Sequence, residues 1–502
     1  MSQIFKDIEV GLDEELEEKL SWLVPNYSSY HILKKSVDAR KGRKPVHFVY
    51  SVEVFADGEV PQTESQMLET IPYKGAPPLI IGSGPAGLFA ALRFVERGIP
   101  CHLFERGSEC GPRLLAISKF WRYGQLSTEN NVCFGEGGAG LFSDGKLITR
   151  IKSPYISYVM NRLVRFGAPE EIKYLANPHV GSDRIRRVIP KMREYLKQNG
   201  CTIHFDTKVT ELLCHGSSIT GLKTAKGESF SADHIILACG HSAEDFFSHL
   251  QQLGVYMEGK SFAIGLRIEH PQNLINQIQY REMASHPKLS AANYRLTFND
   301  KKSQTGVYSF CMCPGGYVLS SGTSPQGVVS NGMSNYNRNS PFANAAIVVT
   351  VDHSSNFAQD AFGGLKFRQD LELRAWKMVQ DGGGNKELPA QRVVDFLEKN
   401  VSEVPKSSCP SGVIPARLDK LVSPKIYQHL CQALYKFEKN MHGFISPDAL
   451  LHGVESRTSC PVRIKRDPHT LISISHSGLY PTGEGAGYAG GITSAACDGI
   501  KV

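Results

Sequence analysis

The sequence predicts an α/β protein with a two-segment Rossmann-like nucleotide-binding domain, an inserted mixed α+β domain and a small N-terminal α+β module. Three observations predict this architecture. An apolar strand runs into a glycine-rich turn at Gly82, a second glycine-rich turn lies near the C-terminus, and the intervening pattern changes to mixed strands and helices. The length of 502 residues suits roughly three domains of ordinary size.

Composition and charge exclude several classes of protein. With 41% hydrophobic and 21% charged residues, the chain is neither disordered nor fibrous. A net charge of +7 is too small to indicate a nucleic-acid or membrane partner by itself. The N-terminus is acidic without an apolar run, and the longest apolar run, residues 78–94, is broken by glycine and proline. We therefore expect a cytoplasmic protein with no membrane partner.

Shifts in pattern divide the chain into four predicted segments. These are an N-terminal module at residues 1–76, the first segment of the nucleotide-binding domain at 77–260, an inserted substrate or cap domain at 261–452, and the second segment of the nucleotide-binding domain at 453–502. Within the insert, the periodicity predicts strands at 262–268, 307–312, 317–321 and 345–351, and helices at 371–379, 390–399 and 424–439.

The N-terminal module is predicted to be a helix packed on a hairpin. A charged helix spans Asp13 to Trp22, and two strand-like runs, 30–37 and 45–55, flank the turn ARKGRK. The positive charge of the module is concentrated at Lys34–Lys44. A solvated hairpin tip is the preferred interpretation, and contact with RNA or another acidic partner is the alternative.

The first motif, PLIIGSGPAGL from residue 78, combines a strand, a GxGxxG turn and a helix start. Gly82 permits the tight turn, Gly84 lets the backbone approach a pyrophosphate, and Gly87 lets the helix pack on the strand. Pro85 suits a first helical turn, and the amides from Ala86 onward would face the phosphates. This pattern predicts dinucleotide binding.

An acid at the end of the next strand strengthens this prediction. Glu105 lies 105 − 82 = 23 positions after Gly82, close to the spacing of an acid that binds the adenosine ribose hydroxyls. Arg106 follows it directly and is predicted to lie beside the same ligand.

The C-terminal motif distinguishes between FAD and NAD. Residues 478–496, GLYPTGEGAGYAGGITSAA, resemble the C-terminal signature of two-segment FAD proteins of the glutathione-reductase-like superfamily. The resemblance implies that Glu484, after Gly483, binds the ribityl chain. It also implies that the amides of Gly490, Gly491 and Ile492 face the N1/C2 edge of the flavin, where a helix N-terminus stabilises negative charge.

Segments between the two motifs extend this resemblance. DHIILACG, residues 233–240, resembles a short superfamily strand that ends in Ala-Thr-Gly, with Cys239 in place of the usual threonine before Gly240. Lys208 and Val209, after a strand, resemble the segment whose backbone contacts the adenine.

Four longer motifs resemble a narrower family, the uncharacterised FAD-dependent dehydrogenases, or NAD(P)/FAD-dependent oxidoreductases, of bacteria and plastids. They are NNVCFGEGGAGLFSDGKL from residue 130, FCMCPGG from 310, GVESRTSCPVRI from 453 and the terminal GEGAGYAGGI. The resemblance covers essentially the whole chain. It implies FAD as the cofactor and an FAD-binding domain built from the two segments, without naming a substrate.

Two groups of residues are candidates for the reaction site. The bare amides of a loop containing Gly137 and Gly138 could line the flavin, and Lys146 could supply positive charge near N1 or N5; an ordinary turn with a solvated lysine is the alternative. A strand through residues 455–463 would place Glu455 and Arg457 on one face, together with Ser459 and Arg463. That face would be an anion site beside the flavin or, alternatively, a structural ion pair.

The cysteines indicate neither a metal site nor a disulfide framework. There are twelve, without the paired CxxC spacing of zinc sites, so no metal is predicted. Cys311-x-Cys313 could be a redox pair. Because a CxC ring is strained and no CxxxxC follows the first βαβ unit, two half-buried loop thiols are the preferred interpretation.

Together these patterns predict an FAD-dependent oxidoreductase. It would transfer a hydride between flavin N5 and an unidentified small organic substrate. Since no second GxGxxG follows a strand, NAD(P)H would bind only transiently, as a co-substrate. The alternatives are an RNA-associated flavoprotein that uses the basic turn and a flavin-binding scaffold without turnover. The oligomeric state is left open.

Overall fold

The computed structural model describes residues 2–40, 45–57 and 68–502. The N-terminal module consists of β1 (Gln3–Gly11), α1 (Leu16–Leu23), β2 (Ser29–Asp38) and β3 (His47–Phe55). Its strands form an antiparallel sheet in the order β1-β3-β2. The predicted hairpin was therefore incomplete, because β1 was missed. The reason is local: the register shifts between Phe5 and Ile8, so the alternation that identifies a strand is broken.

The basic turn of this module is only partly described. Residues 41–44, which carry three of its positive charges, lie outside the described residues. Of the others, Arg40 forms an ion pair with Asp38, and the Lys35 ammonium lies 4.6 Å from the centre of the Phe48 ring. The solvated hairpin tip therefore stays a prediction, with contact with RNA or another acidic partner as its alternative.

The next part of the chain, up to residue 252, alternates strands with helices. Its elements are β4 (Leu79–Ile81), α2 (Pro85–Glu96), β5 (Cys101–Phe104), α3 (Cys110–Tyr123), α4 (Ile156–Arg165), α5 (Ser182–Gln198), β6 (Cys201–His204), β7 (Val209–His215), β8 (Ser218–Thr224), β9 (Ser229–Ser231), β10 (Ile235–Leu237) and α6 (Glu244–Gln252). Short 3-10 turns lie at Gly138–Phe142 and Glu170–Lys173.

The following part is richer in long antiparallel strands. Its elements are β11 (Met257–Gly259), β12 (Phe262–Pro271), α7 (Gln272–Tyr280), β13 (Thr297–Asp300), β14 (Thr305–Cys313), β15 (Gly316–Ser320), β16 (Ser330–Ser334), β17 (Phe342–Val351), α8 (His353–Asn356), α9 (Gly363–Asp381), β18 (Leu388–Arg392), α10 (Val393–Glu398), β19 (Val413–Pro415), α11 (Pro424–Asn440) and β20 (Leu450–Glu455). The chain ends with β21 (Val462–Ile464), β22 (Leu479–Pro481) and α12 (Ile492–Lys501). The helix predicted at 390–399 was wrong in its first turn, since residues 388–392 are a strand.

A five-stranded parallel sheet positions the glycine-rich turns. Its order is β22-β10-β4-β5-β6, so the strand nearest the C-terminus pairs beside β10. The strands β4 and β10 are buried along their whole length, as expected for a parallel sheet covered on both faces. In such a sheet the carboxyl ends of the strands share one edge, which brings turns that are distant in the sequence together.

A seven-stranded sheet forms the second large layer, in the order β13-β14-β17-β12-β20-β18-β19. Helix α11 packs against β13, β14 and β17. The buried side chains of this sheet form one continuous apolar cluster with those of the N-terminal module, including Val10, Leu20 and Val52. The module is therefore part of the core of the molecule.

None of the helices in the described parts of the chain is long and apolar enough to cross a membrane.

Candidate functional site

A cavity of about 1280 Å³ lies between the carboxyl edge of the parallel sheet and strands β13 and β14. Ordinary small-molecule sites measure roughly 300–1,000 Å³, so this cavity has room for more than one such ligand. All the residues predicted to bind the cofactor line it, except Gly87 and Gly137. The tertiary structure thus brings residues from sequence positions 82 to 492 to one wall.

The first turn has the geometry that the GxGxxG motif predicts. Gly82 has φ 103°, and a Cβ at this position would lie 2.3 Å from the carbonyl oxygen of Ala238. A Cβ on Gly87 would lie 1.9 Å from the carbonyl oxygen of Gly82, so only glycine fits at this position. Gly87 therefore packs against the turn itself and does not line the cavity. Around Gly84, by contrast, a Cβ would meet no atom within 4 Å. The turn therefore leaves open space where a ligand can approach the backbone.

Two helix N-termini point into this space. Gly84 is the N-cap residue of α2 and Gly491 that of α12, and neither cap is closed by a side-chain hydrogen bond. A Cβ on Gly490 would also meet no atom within 4 Å. The Gly490 amide, however, donates a hydrogen bond to the Ser494 hydroxyl at 3.2 Å, so it is not among the free amides predicted there. The positive ends of both helices are available to negative groups of a ligand.

The loop that contains Gly137 and Gly138 packs against the glycine turn that begins at Gly82. The amide of Gly137 donates a hydrogen bond to the carbonyl oxygen of Ser83 at 3.0 Å. A Cβ on Gly138 would lie 3.0 Å from the Cα of Gly84. Gly138 therefore lines the cavity, whereas Gly137 supports the turn from behind.

Glu105 is buried behind the turn and already accepts four hydrogen bonds. One oxygen accepts from the amide and hydroxyl of Ser83, at 3.0 and 2.6 Å. The other accepts from the amides of Gly107 and Gly135, at 2.9 and 3.0 Å. Since a carboxylate offers about four acceptor positions, a ribose hydroxyl would bind here only by replacing one of these donors. In this structure Glu105 fastens three loops together.

An ion-pair network lies at the same end of the cavity. The guanidinium of Arg106 contacts Glu129 and Asp245, and the Lys208 ammonium lies 2.6 Å from Asp245. Arg106 also lies 4.0 Å from the centre of the Phe134 ring. Sequence reasoning missed both acids because Glu129 is in a loop and Asp245 begins a helix, far from Arg106 in the chain.

Three further predicted residues line the middle of the cavity. Cys239 and Gly240 follow β10, and burial raises the pKa of the Cys239 thiol to about 12, so this sulfur is a neutral thiol. Gly483 follows β22 with φ 75°, and its amide donates a 2.8 Å hydrogen bond to Asp498 in α12. The turn before α12 is thus fixed from within the helix itself.

Among the three predicted acids, Glu105, Glu455 and Glu484, the carboxylate of Glu484 has the fewest partners. No hydrogen bond from the described residues reaches it, and the nearest ring nitrogen of His241 is 3.9 Å away. Burial raises the pKa of Glu484 to about 7, although the positive charge of Lys260 acts in the opposite direction. An unpaired carboxyl group at the cavity wall is suited to bind hydroxyl groups of a ligand.

Lys146 lines the cavity, and its ammonium group already has two partners in the protein. Its ammonium donates a hydrogen bond to the carbonyl oxygen of Met312 and lies 4.0 Å from the carboxylate of Asp144. It therefore supplies positive charge at the boundary between the parallel sheet and β14.

The strand predicted through residues 455–463, which was to align an anion face, was wrong. Strand β20 ends at Glu455 and β21 begins only at Val462, so no single strand aligns these side chains. Glu455 forms a buried two-point ion pair with Arg267, at 2.8 and 2.9 Å. Arg457 forms another with Glu372, at 2.8 and 2.9 Å, and its third nitrogen donates to Ser242.

These pairs change the interpretation of both residues. The side chains of Arg457 and Glu372 are 6% and 5% exposed, so the guanidinium is already satisfied and desolvated. Glu455 and Arg457 line the cavity as structural ion pairs, which is the alternative that the sequence left open. Their partners, Arg267 and Glu372, could not be identified from spacing because they lie in other elements.

Sequence reasoning missed one part of the cavity wall, which we call the second lobe. Its wall includes two partly buried aromatic side chains on β14, Tyr308 and Phe310, and the exposed arginines Arg150 and Arg295. The strand at 307–312 was predicted, but periodicity alone cannot tell which of its faces meets a cavity.

The residues present fit a bound FAD. The glycines at 84 and 490 leave space that a Cβ would enter, two uncapped helix ends face that space, and the carboxylate of Glu484 is unpaired. Within the described residues, no cluster of three or more His, Cys, Asp or Glu is arranged to hold a metal.

Comparison with known proteins supports the same assignment. A family profile described as "FAD-dependent protein, C-terminal domain-like" matches residues 261–458. A protein of Clostridium beijerinckii (strain ATCC 51743 / NCIMB 8052), named only as an uncharacterized protein, is 40% identical over 521 aligned positions. The alignment covers 99% of this chain and 97% of that protein.

Similarity to solved structures is weak. The structure of CtdE in complex with FAD is 12% identical, covers 85% of this chain and 82% of its own, and has a TM-score of 0.31. A mutant of the halogenase PltM in complex with FAD is 9% identical, covers 85% of this chain and 68% of its own, and has a TM-score of 0.38. At these scores neither structure establishes a common fold.

The matched domain and the cavity define an FAD-dependent protein. The chain belongs to the same family as the Clostridium beijerinckii protein, and its cofactor is FAD.

Proposed function

We propose that this protein is an FAD-dependent oxidoreductase that transfers a hydride between flavin N5 and a small organic substrate. The observation that carries the proposal is that one cavity extends from the glycine turn at Gly82 to Tyr308 and Phe310 on β14. A cofactor along the carboxyl edge of the parallel sheet would leave the second lobe for a substrate. FAD supplies the hydride chemistry when bound, and the chain supplies binding, orientation and electrostatics.

We further propose that residues 77–260 and 453–502 form one FAD-binding domain of the glutathione-reductase-like type, with 261–452 inserted. The pairing of β22 with β10 supports this division, because it joins the two segments in one sheet. The boundary at 261 also agrees with the first residue of the matched family domain.

Different residues of the cavity would bind different parts of FAD. The amides at the start of α2 are positioned for the pyrophosphate, and Glu484 for the hydroxyls of the ribityl chain. The amides at the start of α12 and the ammonium of Lys146 place positive charge where reduced flavin would carry negative charge. Tyr308 and Phe310 offer apolar surface in the second lobe, which excludes water from a bound substrate.

The electron donor is the part of the proposal that experiment must decide. We propose NAD(P)H as a transient donor, bound without a nucleotide domain of its own. The test is an anaerobic titration of the FAD-loaded protein with NADH and then NADPH, followed by the visible spectrum. Rapid bleaching supports a nicotinamide-driven reductase or monooxygenase. A flavin that stays yellow overturns the role of NAD(P)H and assigns the electrons to an organic substrate.

Two outcomes would contradict the wider proposal. A colourless protein that FAD cannot reconstitute would contradict the cofactor site. A yellow protein that no nicotinamide or metabolite reduces at a useful rate would favour the flavin-binding scaffold.

A further inference from the structure

Strand β14 is irregular where it meets the cavity. Phe310 pairs with Ala346 of β17, and Cys313 pairs with Asn344, so three steps along β14 oppose two along β17. The extra residue forms a β-bulge, and Cys311 in it has φ 48°, in the left-handed region that non-glycine residues rarely adopt.

The two cysteines at this end of β14 differ in exposure. All six residues from 307 to 312 line the cavity, and Cys311 is one of them. Cys311 is partly buried, whereas Cys313 has no exposed surface. Cys311 is therefore the member of the pair at the cavity wall.

The two thiols interact with each other. The Cys313 thiol donates a hydrogen bond to the Cys311 carbonyl oxygen at 3.3 Å. The neighbouring Cys313 thiol is also the largest influence on the Cys311 thiol and lowers its pKa to about 6. Burial raises that pKa, the positive charges of Lys146 and Arg267 lower it, and the carboxylate of Glu455 raises it. The pKa of Cys313 is raised, first because its thiol is the donor.

This arrangement has the features of an attacking and a resolving thiol. A thiolate is the reactive form of cysteine, and it is stabilised here by a neighbouring thiol donor and an ammonium group at the cavity wall. The structure records all twelve cysteines as free. The pair is therefore described in its reduced form.

We propose that Cys311 and Cys313 form a redox-active dithiol that exchanges two electrons with the flavin in this cavity. The inference rests on the proposed function, because it takes bound FAD as the electron partner. In the oxidation, the Cys311 thiolate and the Cys313 thiol form one S–S bond, the Cys313 S–H bond breaks, and the pair releases two electrons and one proton. An oxidised FAD bound in the cavity would supply the acceptor for both electrons and the proton, and the reverse transfer would restore the dithiol.

The test is an anaerobic reductive titration of the FAD-loaded protein with dithionite, after mild oxidation with diamide. We expect the wild-type protein to consume four electron equivalents per flavin, two for FAD and two for the disulfide. Cys311→Ser and Cys313→Ser should each consume two. Cys431→Ser, which alters a thiol on α11 outside the cavity, should still consume four.

Disulfide mapping by mass spectrometry provides a readout that does not depend on the variants or on FAD. In thiol–disulfide buffers of graded potential, the wild-type protein should show one two-electron transition of the peptide that carries residues 311 and 313. A consumption of two equivalents by the wild-type protein, or the absence of a Cys311–Cys313 disulfide under oxidising buffer, would overturn the proposal. Failure of FAD to bind would instead count against the proposed function, while the mapping would still test the pair.

Discussion

Gly87 and Gly82 are in direct contact across the first turn, since a Cβ on Gly87 would lie 1.9 Å from the Gly82 carbonyl oxygen. Gly84, between them, faces open space, and a Cβ there would meet nothing within 4 Å. One motif thus contains a glycine required by protein packing and a glycine that the packing of the protein itself does not require. This difference makes the two positions a matched pair for experiment.

Gly87→Ala should destabilise the protein, whereas Gly84→Ala should not. We expect Gly87→Ala to lose about 1–3 kcal/mol or more, because the new methyl group overlaps backbone that cannot move aside. Gly84→Ala should keep the stability of the FAD-free protein and lower FAD affinity at least about tenfold, or about 1.4 kcal/mol. Thermal unfolding without FAD and a fluorescence titration with FAD measure the two effects. Equal FAD affinity in Gly84→Ala and the wild-type protein would contradict the placement of the cofactor.

Arg457 should matter for stability through its buried pair with Glu372. Arg457→Leu leaves a carboxylate buried without its main partner, and we expect it to cost about 3–5 kcal/mol in the free energy of unfolding. The double variant Arg457→Leu with Glu372→Leu should recover part of this loss, because the unpaired charge is removed as well. Denaturant unfolding of the two proteins at pH 7 gives the comparison. If Arg457 served only to bind a substrate anion, the single substitution would leave the stability unchanged.

Glu484 should make the stability of the FAD-free protein depend on pH. Burial raises its pKa to about 7 in the folded state, from an ordinary value of 4.5. The folded protein therefore binds more protons than the unfolded chain between these values, so its stability falls as pH rises through this window, by up to about 3 kcal/mol. Glu484→Gln should abolish this contribution. Glu228→Gln, at an exposed turn, is the control and should not.

The contribution of Glu484 is the difference between two slopes. Each is the slope of the free energy of unfolding against pH, one measured for Glu484→Gln and one for the wild-type protein. Burial lowers the pKa of His270 and of His452 to about 4, and these groups contribute the opposite slope in both proteins. Equal slopes in the two proteins would show that Glu484 does not titrate in this range.

Removal of the N-terminal module should destabilise the rest of the chain. Val10, Leu20 and Val52 belong to the apolar cluster of the seven-stranded sheet, so deletion of residues 2–76 would expose part of that cluster. We expect a lower midpoint of thermal unfolding and a tendency to aggregate. Contact with RNA is therefore better tested with Lys34→Gln and Arg40→Gln, which leave the core intact, in binding assays at low salt. An unchanged midpoint after the deletion would show that the rest of the chain does not depend on the module for its stability.

Short-range sequence patterns predicted the local elements of the proposed cofactor site correctly. The turn at Gly82, the helix starts at Pro85 and Ile492 and the strand before Glu105 follow from short-range patterns, because a tight turn or a helix N-terminus depends on a few adjacent residues. These elements lie where they were predicted. Strand β1 was missed because a register shift between Phe5 and Ile8 interrupts the alternation along it.

Which charged side chains form ion pairs within the protein follows only from the tertiary structure. Glu455 and Arg457 have the same residue types whether they bind a substrate or pair internally, and only the positions of Arg267 and Glu372 settle that they pair. In the same way, periodicity placed residues 307–312 on a strand, but only the folded structure shows that this strand lines the cavity. Ion pairs and bulges depend on contacts between residues far apart in the chain, and local spacing carries no information about them.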